Sequence, residues 1–600
     1  MDKKNTIIGI LLLITAFAVM YYGQQVAPPK PAPEITRPVG ENQAPGPAQS
    51  TLPESSPSNA AFAALAETNT DASFVTLSND FITARFTNYG GALRDVALRK
   101  YSRSEKSAEP YVFNQVHTAP MLALNGLAGL GYRMRYELVS SSATEVVYRT
   151  VFENRIEVTR GYRIVPGAGS ADGKQDPYRI HHETTFRNLT DHTSSLPVTL
   201  NLGTTALISA TDVGLYLNVA AYDGDGAQVI DRGNLEGGGF LSWIGLRNNP
   251  PKSEFVQPGN TVWGAVKNQF FTSIYTPAKP GTGITVRRVE LPPIAGNSRA
   301  NTGLTATMTL EPVSLAPAAE SAISGDLYVG PKEYARLSKF EQRQDKVMQY
   351  DRYFFNRIFF SGLIAPFMYS IMNWMHGFVG NWGLAIVLMT LLLKVVTLPF
   401  TLAASRSAKR MQKIQPEMQA LREKYKDNPQ KMQKETMALF KKHRVNPMGG
   451  CLPIFITMPL FIAFFVMLQG TAELRFQPFL WTGDLSAPDT VARIFGLPIN
   501  IMPLLMGATM IVQMRLTPSP SVDNAQVKMM KFMPVIFTLI CYNFSCALAL
   551  YSTINGLFTI GQQLVVNRMK DPAESAPAAQ AAPKTDRKGR PIINVTPKKK

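Results

Sequence analysis

Residues 388–401, LMTLLLKVVTLPFT, place a single lysine, Lys394, in the middle of an apolar run. The stretch 380–401 approaches the ~20 residues that a helix needs to cross a bilayer. A charge at the bilayer centre costs roughly 2.5–3.5 kcal/mol on insertion scales, so it normally faces a cavity or a partner. We therefore predict a membrane-spanning helix in which Lys394 has a functional role.

Two interpretations of Lys394 are open. Its stem could extend to the cytoplasmic end of the helix, although that end lies about seven to ten residues away, or ~10–15 Å. It could instead face a hydrated groove, because polar residues recur on its helical face and no Asp or Glu lies within the predicted spans. This face contains Thr390, Lys394, Thr397 and Thr401. Such stripes also pack membrane helices together.

Similar apolar runs predict an N-terminal anchor and five further spans. The five lie at about 380–401, 451–471, 498–516, 532–546 and 547–567. Asn543 and Ser545 indicate a turn between the last two. The segment 359–378 is apolar but broken by Pro366, which favours a helix lying on the bilayer.

The region from 72 to 330 has a different pattern, in which apolar and polar residues alternate over short runs such as FITARF (81–86) and EVVYRTVF (145–152). Alternation with a period of two predicts a large antiparallel β-sandwich. Residues 27–71 are rich in Pro and Ala and predict an extended tether. The segment 331–357 is predicted as a charged helix that leads back to the membrane.

These patterns together predict a polytopic α-helical membrane protein with six transmembrane helices and a large β-sandwich domain. The predicted segments are an anchor (1–26), a linker (27–71), the β-sandwich domain (72–330), a linker with interfacial helices (331–378), a five-helix core (379–570) containing a helical hairpin (402–450), and a basic tail (571–600).

The formal net charge of +18 is unevenly distributed. Residues 402–450 hold twelve basic and four acidic side chains, the tail after Asn567 nine and three, and residues 472–497 two and three. Basic segments stay in the cytoplasm. The charges therefore predict a cytoplasmic hairpin and cytoplasmic termini, with the β domain outside. The hairpin and tail are also suited to bind anionic lipid or ribosomal RNA.

The hairpin is predicted to contain two helices. Apolar residues with a 3-4-3-4 spacing indicate an amphipathic helix over 405–426. They are Met411, Ile414, Met418, Leu421 and Tyr425. Asn428 followed by Pro429 begins the second helix, which runs to about Arg444. The candidate contact residues of this cytoplasmic hairpin are Arg406, Lys409, Arg410, Met411 and Met418.

Other spans carry polar stripes of their own. The last span contains Ser552, Asn555, Gly556, Thr559 and Gln563. The span 498–516 contains Thr509 and Gln513, beside Met502, Met506, Met510 and Met514. A methionine surface suits partners of varied apolar shape, and it is also common in ordinary packing.

Several chemistries are not indicated. The sequence has no G-x-x-x-x-G-K-[ST] motif for a nucleotide-driven motor. Its three cysteines lie in apolar runs, and the soluble part has none of the paired cysteines that a secreted disulfide framework needs. In a strand, His182 points away from His181 and Glu183, which argues against a metal site. We expect no metal, no cofactor and no small-molecule substrate.

Longer motifs carry a family resemblance. They are NWGLAIVLMTLLLKVVTLPF (381–400), NPMGGCLPIFITMPLFIAFFVMLQGTAEL (446–474) and KFMPVIFTLICYNFSCALALY (531–551). These stretches resemble the YidC membrane protein insertases of Gram-negative bacteria, which belong to the wider YidC/Oxa/Alb family. The resemblance is dense over roughly 350–570. The N-terminal anchor, large outer β domain and basic tail fit the same architecture.

The resemblance implies an insertase and chaperone, not an enzyme, that works without ATP on newly made inner-membrane proteins. It implies a five-helix bundle with a hydrophilic groove open to cytoplasm and lipid. It also implies Sec translocon components as partners, with a ribosome or targeting receptor at the basic loop and tail. The family's groove cation is typically arginine. Lys394 keeps the positive charge but cannot form the bidentate pair of hydrogen bonds that a guanidinium group forms with a carboxylate.

The resemblance and the polar stripes together give the candidate groove residues. They are Thr390, Lys394, Thr397, Thr457, Thr509, Gln513, Tyr551, Ser552, Asn555 and Thr559. The chain departs from the family where paired tyrosines read Tyr551-Ser552 and where Pro-Ser-Gly reads Ser545-Cys546-Ala547. In the implied mechanism Lys394 attracts acidic residues of a substrate.

Two other classes of protein would leave different marks in the sequence. A secondary transporter would show inverted repeats, and no convincing repeat relates the two halves. A membrane-tethered periplasmic carbohydrate enzyme would need two carboxylates converging in a cleft, which the sequence does not indicate.

Overall fold

The computed structural model describes residues 71–115, 119–127, 129–167, 175–209, 212, 214–236, 251–291, 301–426, 428–443, 452–516 and 525–568. The predicted anchor, nearly all of the predicted linker and the basic tail lie outside these residues. The chain forms two compact units. The first contains Met1–Met389, Met458–Leu504 and Ile540–Tyr551, and the second contains Thr390–Thr457, Leu505–Leu539 and Ser552–Lys600.

The β domain lies in the first unit, and its described strands are two to twelve residues long. They are β1 Phe74–Ser78, β2 Ile82–Thr87, β3 Ala92–Ser102, β4 Pro110–Phe113, β5 Leu124–Asn125, β6 Glu137–Ser141, β7 Glu145–Phe152, β8 Ile156–Ile164, β9 Arg179–Asn188, β10 Ser194–Leu196, β11 Thr199–Thr205, β12 Asn218–Tyr222, β13 Ala227–Asp231, β14 Glu254–Thr261, β15 Trp263–Lys267, β16 Phe271–Pro277, β17 Gly281–Leu291, β18 Asn301–Thr309, β19 Val313–Leu315 and β20 Glu320–Pro331. A short helix, α1 (Arg232–Glu236), follows β13.

The strands pair antiparallel in four sheets. A nine-stranded sheet has the order β13-β12-β15-β16-β20-β9-β8-β7-β6, and a five-stranded sheet the order β14-β17-β18-β11-β5. β1 to β4 form a third sheet, and β10 pairs with β19. The two large sheets face each other, since Ser273 Oγ of β16 donates to the Leu202 carbonyl of β11 at 2.7 Å. The predicted antiparallel β-sandwich is therefore confirmed.

The segment after the β domain corrects one prediction. Instead of one charged helix over 331–357, it forms α2 (Tyr334–Leu337), a 3-10 turn (Gln344–Met348) and α3 (Phe354–Ile358). The chain is held against the β domain by Trp263 and Lys267, which donate to the carbonyls of Gln342 and Val347 at 2.9 and 2.8 Å. These tertiary contacts outweigh the helical preference of the segment.

The predicted interfacial segment is α4, Ser361–Val379. The prediction that Pro366 breaks it is wrong, because the helix continues through this residue. Pro366 lies early in the helix, where its missing N–H removes one hydrogen bond without ending the run. Phe367, Trp374 and Phe378 are 67, 62 and 74% exposed and give α4 an apolar outer face.

The remaining helices are α5 Trp382–Lys413, α6 Gln415–Lys424, α7 Pro429–Lys442, α8 Leu452–Gly470, α9 Ile501–Leu516, α10 Ala525–Ile540 and α11 Cys546–Arg568. Among the described residues, α5 is the one helix long and apolar enough by composition to cross a membrane. Thr457–Gly470 and Ile501–Leu516 are shorter apolar helices. The predicted turn before the last helix is confirmed, since residues 541–545 separate α10 from α11.

The hairpin differs from the prediction in its first helix. The expected helix over 405–426 is divided, because α5 continues to Lys413 and α6 begins at Gln415. Pro416 lies in the first turn of α6, where it is tolerated, whereas within a continuous helix it would clash with the carbonyl four residues earlier. The start of the second helix is confirmed: the Asn428 side chain accepts from the Lys431 amide at 3.1 Å.

Candidate functional site

The polar stripe of α5 lies on a buried face of the helix. Thr390, Lys394 and Thr397 are 1, 8 and 5% exposed, whereas Val395 and Val396 are 60 and 59% exposed. The apolar flank is thus turned outward and the polar flank inward, which is the reverse of a helix in a water-soluble protein. This inversion is expected where the surrounding solvent is lipid.

Lys394 is held by a neutral partner. Its Nζ donates to Thr559 Oγ1 of α11 at 2.8 Å and lies 5.9 Å from the centre of the Phe558 ring. The Thr559 hydroxyl in turn donates to the Asn555 carbonyl at 2.8 Å, so its lone pairs are free to accept from the lysine. A carboxylate forms a stronger hydrogen bond with an ammonium group than a neutral hydroxyl does, so a carboxylate can displace Thr559 from Lys394.

Polar contacts join α5 and α11 further along the same face. Thr401 Oγ1 donates to Gln562 Oε1 at 3.2 Å. Lys409 Nζ donates to the carbonyls of Val566 and Asn567 at 3.4 and 3.3 Å. A cation at the C-terminal carbonyls of a helix interacts favourably with the helix dipole. Lys409, predicted as a contact residue of the hairpin, is thus engaged in capping α11.

The helices α9 and α11 lie in close contact at Gly556. A Cβ at this position would lie 2.6 Å from Thr509 Oγ1 and 2.7 Å from Gln513 Nε2. Both side chains were predicted as groove residues, and the absence of a side chain at 556 lets them reach the α11 backbone. Lys394, Thr509 and Gln513 therefore all lie against α11, which is the common wall of the polar face.

The other predicted groove residues are placed differently. Tyr551 belongs to the first compact unit, is 6% exposed, and packs on Phe464 and Phe461 of α8 with ring centres 4.5 and 6.0 Å away. It therefore lies in an aromatic cluster. Ser552 and Thr457 are half-buried.

In the hairpin, Arg406 is exposed, and Arg410, Met411 and Met418 are half-buried. Glu417 of α6 joins the two helices, because its carboxylate lies 3.1 Å from His443 Nε2 and 3.9 Å from Lys442 Nζ at the end of α7. One carboxylate thus cross-links α6 and α7, whereas Arg406, Arg410 and Met411 lie on the last turns of α5.

Sequence reasoning missed two neighbours of this site, Phe558 and Gln562. The signal for Gln562 is its position three residues after Thr559 on α11, which places both on one face. No pattern in the sequence indicates that the Phe558 ring faces Lys394, since the two lie on different helices.

In the described part of the β domain, the neighbouring histidines His181 and His182 have separate surroundings. His182 is fully buried, and burial together with nearby Arg160 holds the pKa of its imidazole well below the ordinary value. His181 pairs with Asp326 at 2.9 Å. Within the described ranges there is no group of three side chains suited to hold a metal ion.

A chain that contains an apolar helix with a buried cation on its polar side, and that also forms a large antiparallel β domain, is typical of a membrane protein with a substantial part outside the bilayer. Two family models match the chain: "60Kd inner membrane protein" over residues 374–574 and "YidC periplasmic domain" over residues 74–361. The chain belongs to the YidC family of membrane protein insertases. Membership implies the inner membrane, with the β domain in the periplasm.

Relatives named membrane protein insertase YidC support this assignment. The protein from Burkholderia multivorans is 29% identical over 96% of this chain and 100% of its own length. The protein from Syntrophobacter fumaroxidans is 34% identical over 53% of this chain, and that from Chlorobium phaeovibrioides 32% over 59%. The chain spans only 55 and 60% of the length of the last two.

Solved structures show weaker likeness. One described as an active YidC insertase with the first transmembrane domain resolved aligns over 83% of this chain and 93% of its own, at 16% identity and a TM-score of 0.31. A putative aldose 1-epimerase from Escherichia coli K12 aligns over 43% of this chain and 99% of its own, at 10% identity and a TM-score of 0.26. The family assignment rests on the sequence matches.

Proposed function

We propose that this protein inserts and folds newly synthesised inner-membrane proteins without ATP, alone or beside the Sec translocon. The observation that carries the proposal is the contact of Lys394, on the buried polar face of α5, with Thr559. A cation held by a neutral hydroxyl remains available to an incoming carboxylate. The sequence relationship to insertases supports the same activity.

The membrane topology of this proposal has six spans. They are the N-terminal anchor and helices α5, α8, α9, α10 and α11, with both termini and the hairpin 402–450 in the cytoplasm. The excess of basic residues in the hairpin and tail supports this orientation. On this topology, nascent chains, ribosome or targeting receptor meet the basic hairpin and tail, which also attract anionic lipid.

Insertion proceeds along the polar face of α5 and α11. The short external segment of a substrate binds to this face in place of the present contacts between the helices. The polar groups of the segment are then hydrogen-bonded. Without such partners, each polar group in the bilayer would cost several kcal/mol. A carboxylate in that segment displaces Thr559 from Lys394 and forms a charge-assisted hydrogen bond. Burial of the substrate's apolar helix in lipid then drives the step.

The test is insertion into liposomes that contain only the purified protein. The substrate is a single-span protein with an acidic external segment, and insertion is scored by protection from protease. Lys394→Ala should lose most of this protection, and Lys394→Arg should retain it because the charge is kept. Thr559→Val is the matched control: it removes the acceptor and leaves the cation, so it should insert at least as well as wild type.

A second substrate with a neutral external segment distinguishes the insertase activity itself from the electrostatic role of Lys394. Equal loss for the acidic and neutral substrates in Lys394→Ala would refute the electrostatic role and leave the insertase activity standing. Failure of the wild-type protein to protect either substrate would refute activity without a partner.

A further inference from the structure

The connection between α8 and α9 contains a hairpin with unusually exposed apolar residues. Its strands are β21 (Thr490–Ile494) and β22 (Leu497–Asn500). Ile494 and Leu497 are 52 and 69% exposed, and Phe495 at the tip is fully exposed. The insertase mechanism above makes no use of this element.

The pairing register sorts the hairpin into two faces. Ile494 lies opposite Leu497, and Ala492 lies opposite Ile499. Side chains alternate along each strand, so these four apolar residues share one face. Arg493 and Pro498 pair on the other face, and Arg493 is the one charged residue between 490 and 500.

The turn presents Phe495 at the extreme tip. Phe495 and Gly496 have φ angles of 50° and 80°, as the two central residues of a type I′ turn require. A phenylalanine in this region of φ is uncommon, and Gly496 supplies the freedom that the second position needs. The turn thus holds the Phe495 ring fully exposed, away from the rest of the described chain.

The base of the hairpin is firmly held. Asn500 Nδ2 donates to the Tyr542 carbonyl at 2.7 Å, and the Tyr542 hydroxyl donates to the Pro498 carbonyl at 2.7 Å. Asp489 Oδ2 accepts from the Met502 amide at 2.6 Å and from Trp481 Nε1 at 2.9 Å. The hairpin is therefore a fixed projection rather than a loose loop.

Its location follows from the chain itself. Asn500 ends β22 and the next residue, Ile501, begins α9, so the base lies at a helix end. Arg475 belongs to the same α8–α9 connection and donates to the carbonyls of Ser102 and Arg103 at 2.6 and 2.8 Å. The connection therefore lies on the side of the β domain. At about 3.3 Å per residue, the tip lies within ~15 Å of that helix end.

We propose that this hairpin is a membrane anchor whose apolar face and Phe495 ring lie in the periplasmic leaflet of the bilayer. On α9, the helix that leaves the hairpin, Leu504 is also exposed, at 49%. Arg493 on the opposite face is placed for lipid phosphate. A two-stranded ribbon is marginal in water, and lipid burial of one face adds to the stabilisation from the hydrogen bonds at its base.

The test measures the depth of nitroxide labels in the full-length protein. The three native cysteines are replaced by alanine, and single cysteines are introduced by Phe495→Cys, Ile494→Cys and Val256→Cys. Val256 is the matched control because it is 56% exposed in strand β14 of the β domain. The protein is reconstituted into vesicles of phosphatidylethanolamine and phosphatidylglycerol. The spin relaxation of each nitroxide is measured with oxygen, which concentrates in the bilayer, and with a nickel chelate, which stays in water.

Labels at 494 and 495 should respond more to oxygen than to the nickel chelate, and the label at 256 should show the reverse order. A label at 495 that behaves like the one at 256 would overturn the anchor. Shielding of 495 that develops only when translocon proteins are added would also overturn it and would make the hairpin a protein-binding surface. Circular dichroism of each variant shows that the β domain remains folded.

Discussion

Gly556 sets the separation of α9 and α11, and Gly556→Ala tests whether this close approach is needed. The added methyl would lie 2.6 Å from Thr509 Oγ1 and 2.7 Å from Gln513 Nε2. Favourable contact of non-bonded heavy atoms begins at about 3.5 Å. The two helices must therefore move apart, or both polar side chains must leave their present positions.

Two opposing contributions determine the size of the effect. Alanine is better than glycine inside a helix by about 1 kcal/mol, and overpacking a close contact costs about 1–3 kcal/mol. Gly561 provides the matched control, because a methyl there meets nothing within 4 Å. Gly561→Ala should therefore gain stability, and Gly556→Ala should be about 1–3 kcal/mol less stable than Gly561→Ala.

The assay is thermal unfolding in detergent, followed by tryptophan fluorescence, together with the liposome insertion assay. We expect the midpoint order Gly561→Ala above wild type and Gly556→Ala below Gly561→Ala. Insertion should fall in Gly556→Ala only, since that substitution displaces the polar residues Thr509 and Gln513. Equal midpoints for the two variants would refute the close approach of α9 and α11.

Two further predictions concern regions outside the membrane. Asn428→Ala removes the cap of α7 and should destabilise its first turn by about 0.5–2 kcal/mol; hydrogen exchange at the Lys431 amide should rise, while exposed Gln433→Ala leaves it unchanged. Lys332 is buried, Nζ has no acceptor among the described residues, and burial lowers its pKa from 10.5 to about 7. The unfolded chain therefore binds the extra proton between these values, so stability rises with pH across this window. Lys332→Met should raise the unfolding midpoint most at pH 7 and below, and the gain should vanish as pH approaches 10.5; a gain independent of pH would contradict this assignment.

Local patterns were sufficient for much of the fold. The period-two alternation predicted the antiparallel strands, and Asn428-Pro429 predicted the start of α7, because both depend on residues close in sequence. The turn at 541–545 was predicted for the same reason. The segment 331–357 was predicted wrongly, since its shape is set by hydrogen bonds from Trp263 and Lys267, which lie more than seventy residues away.

The candidate site divides in the same way. Helical periodicity is a local property, so the spacing of Thr390, Lys394 and Thr397 was enough to predict that they share one polar face of a helix that is otherwise apolar over 380–401. The hydrogen bond between Lys394 and Thr559, 165 residues later, and the capping of α11 by Lys409 are seen only in the folded chain. Which helix faces which, and at what height, depends on side-chain packing between distant segments. That packing has no counterpart in the spacing of residues along one chain.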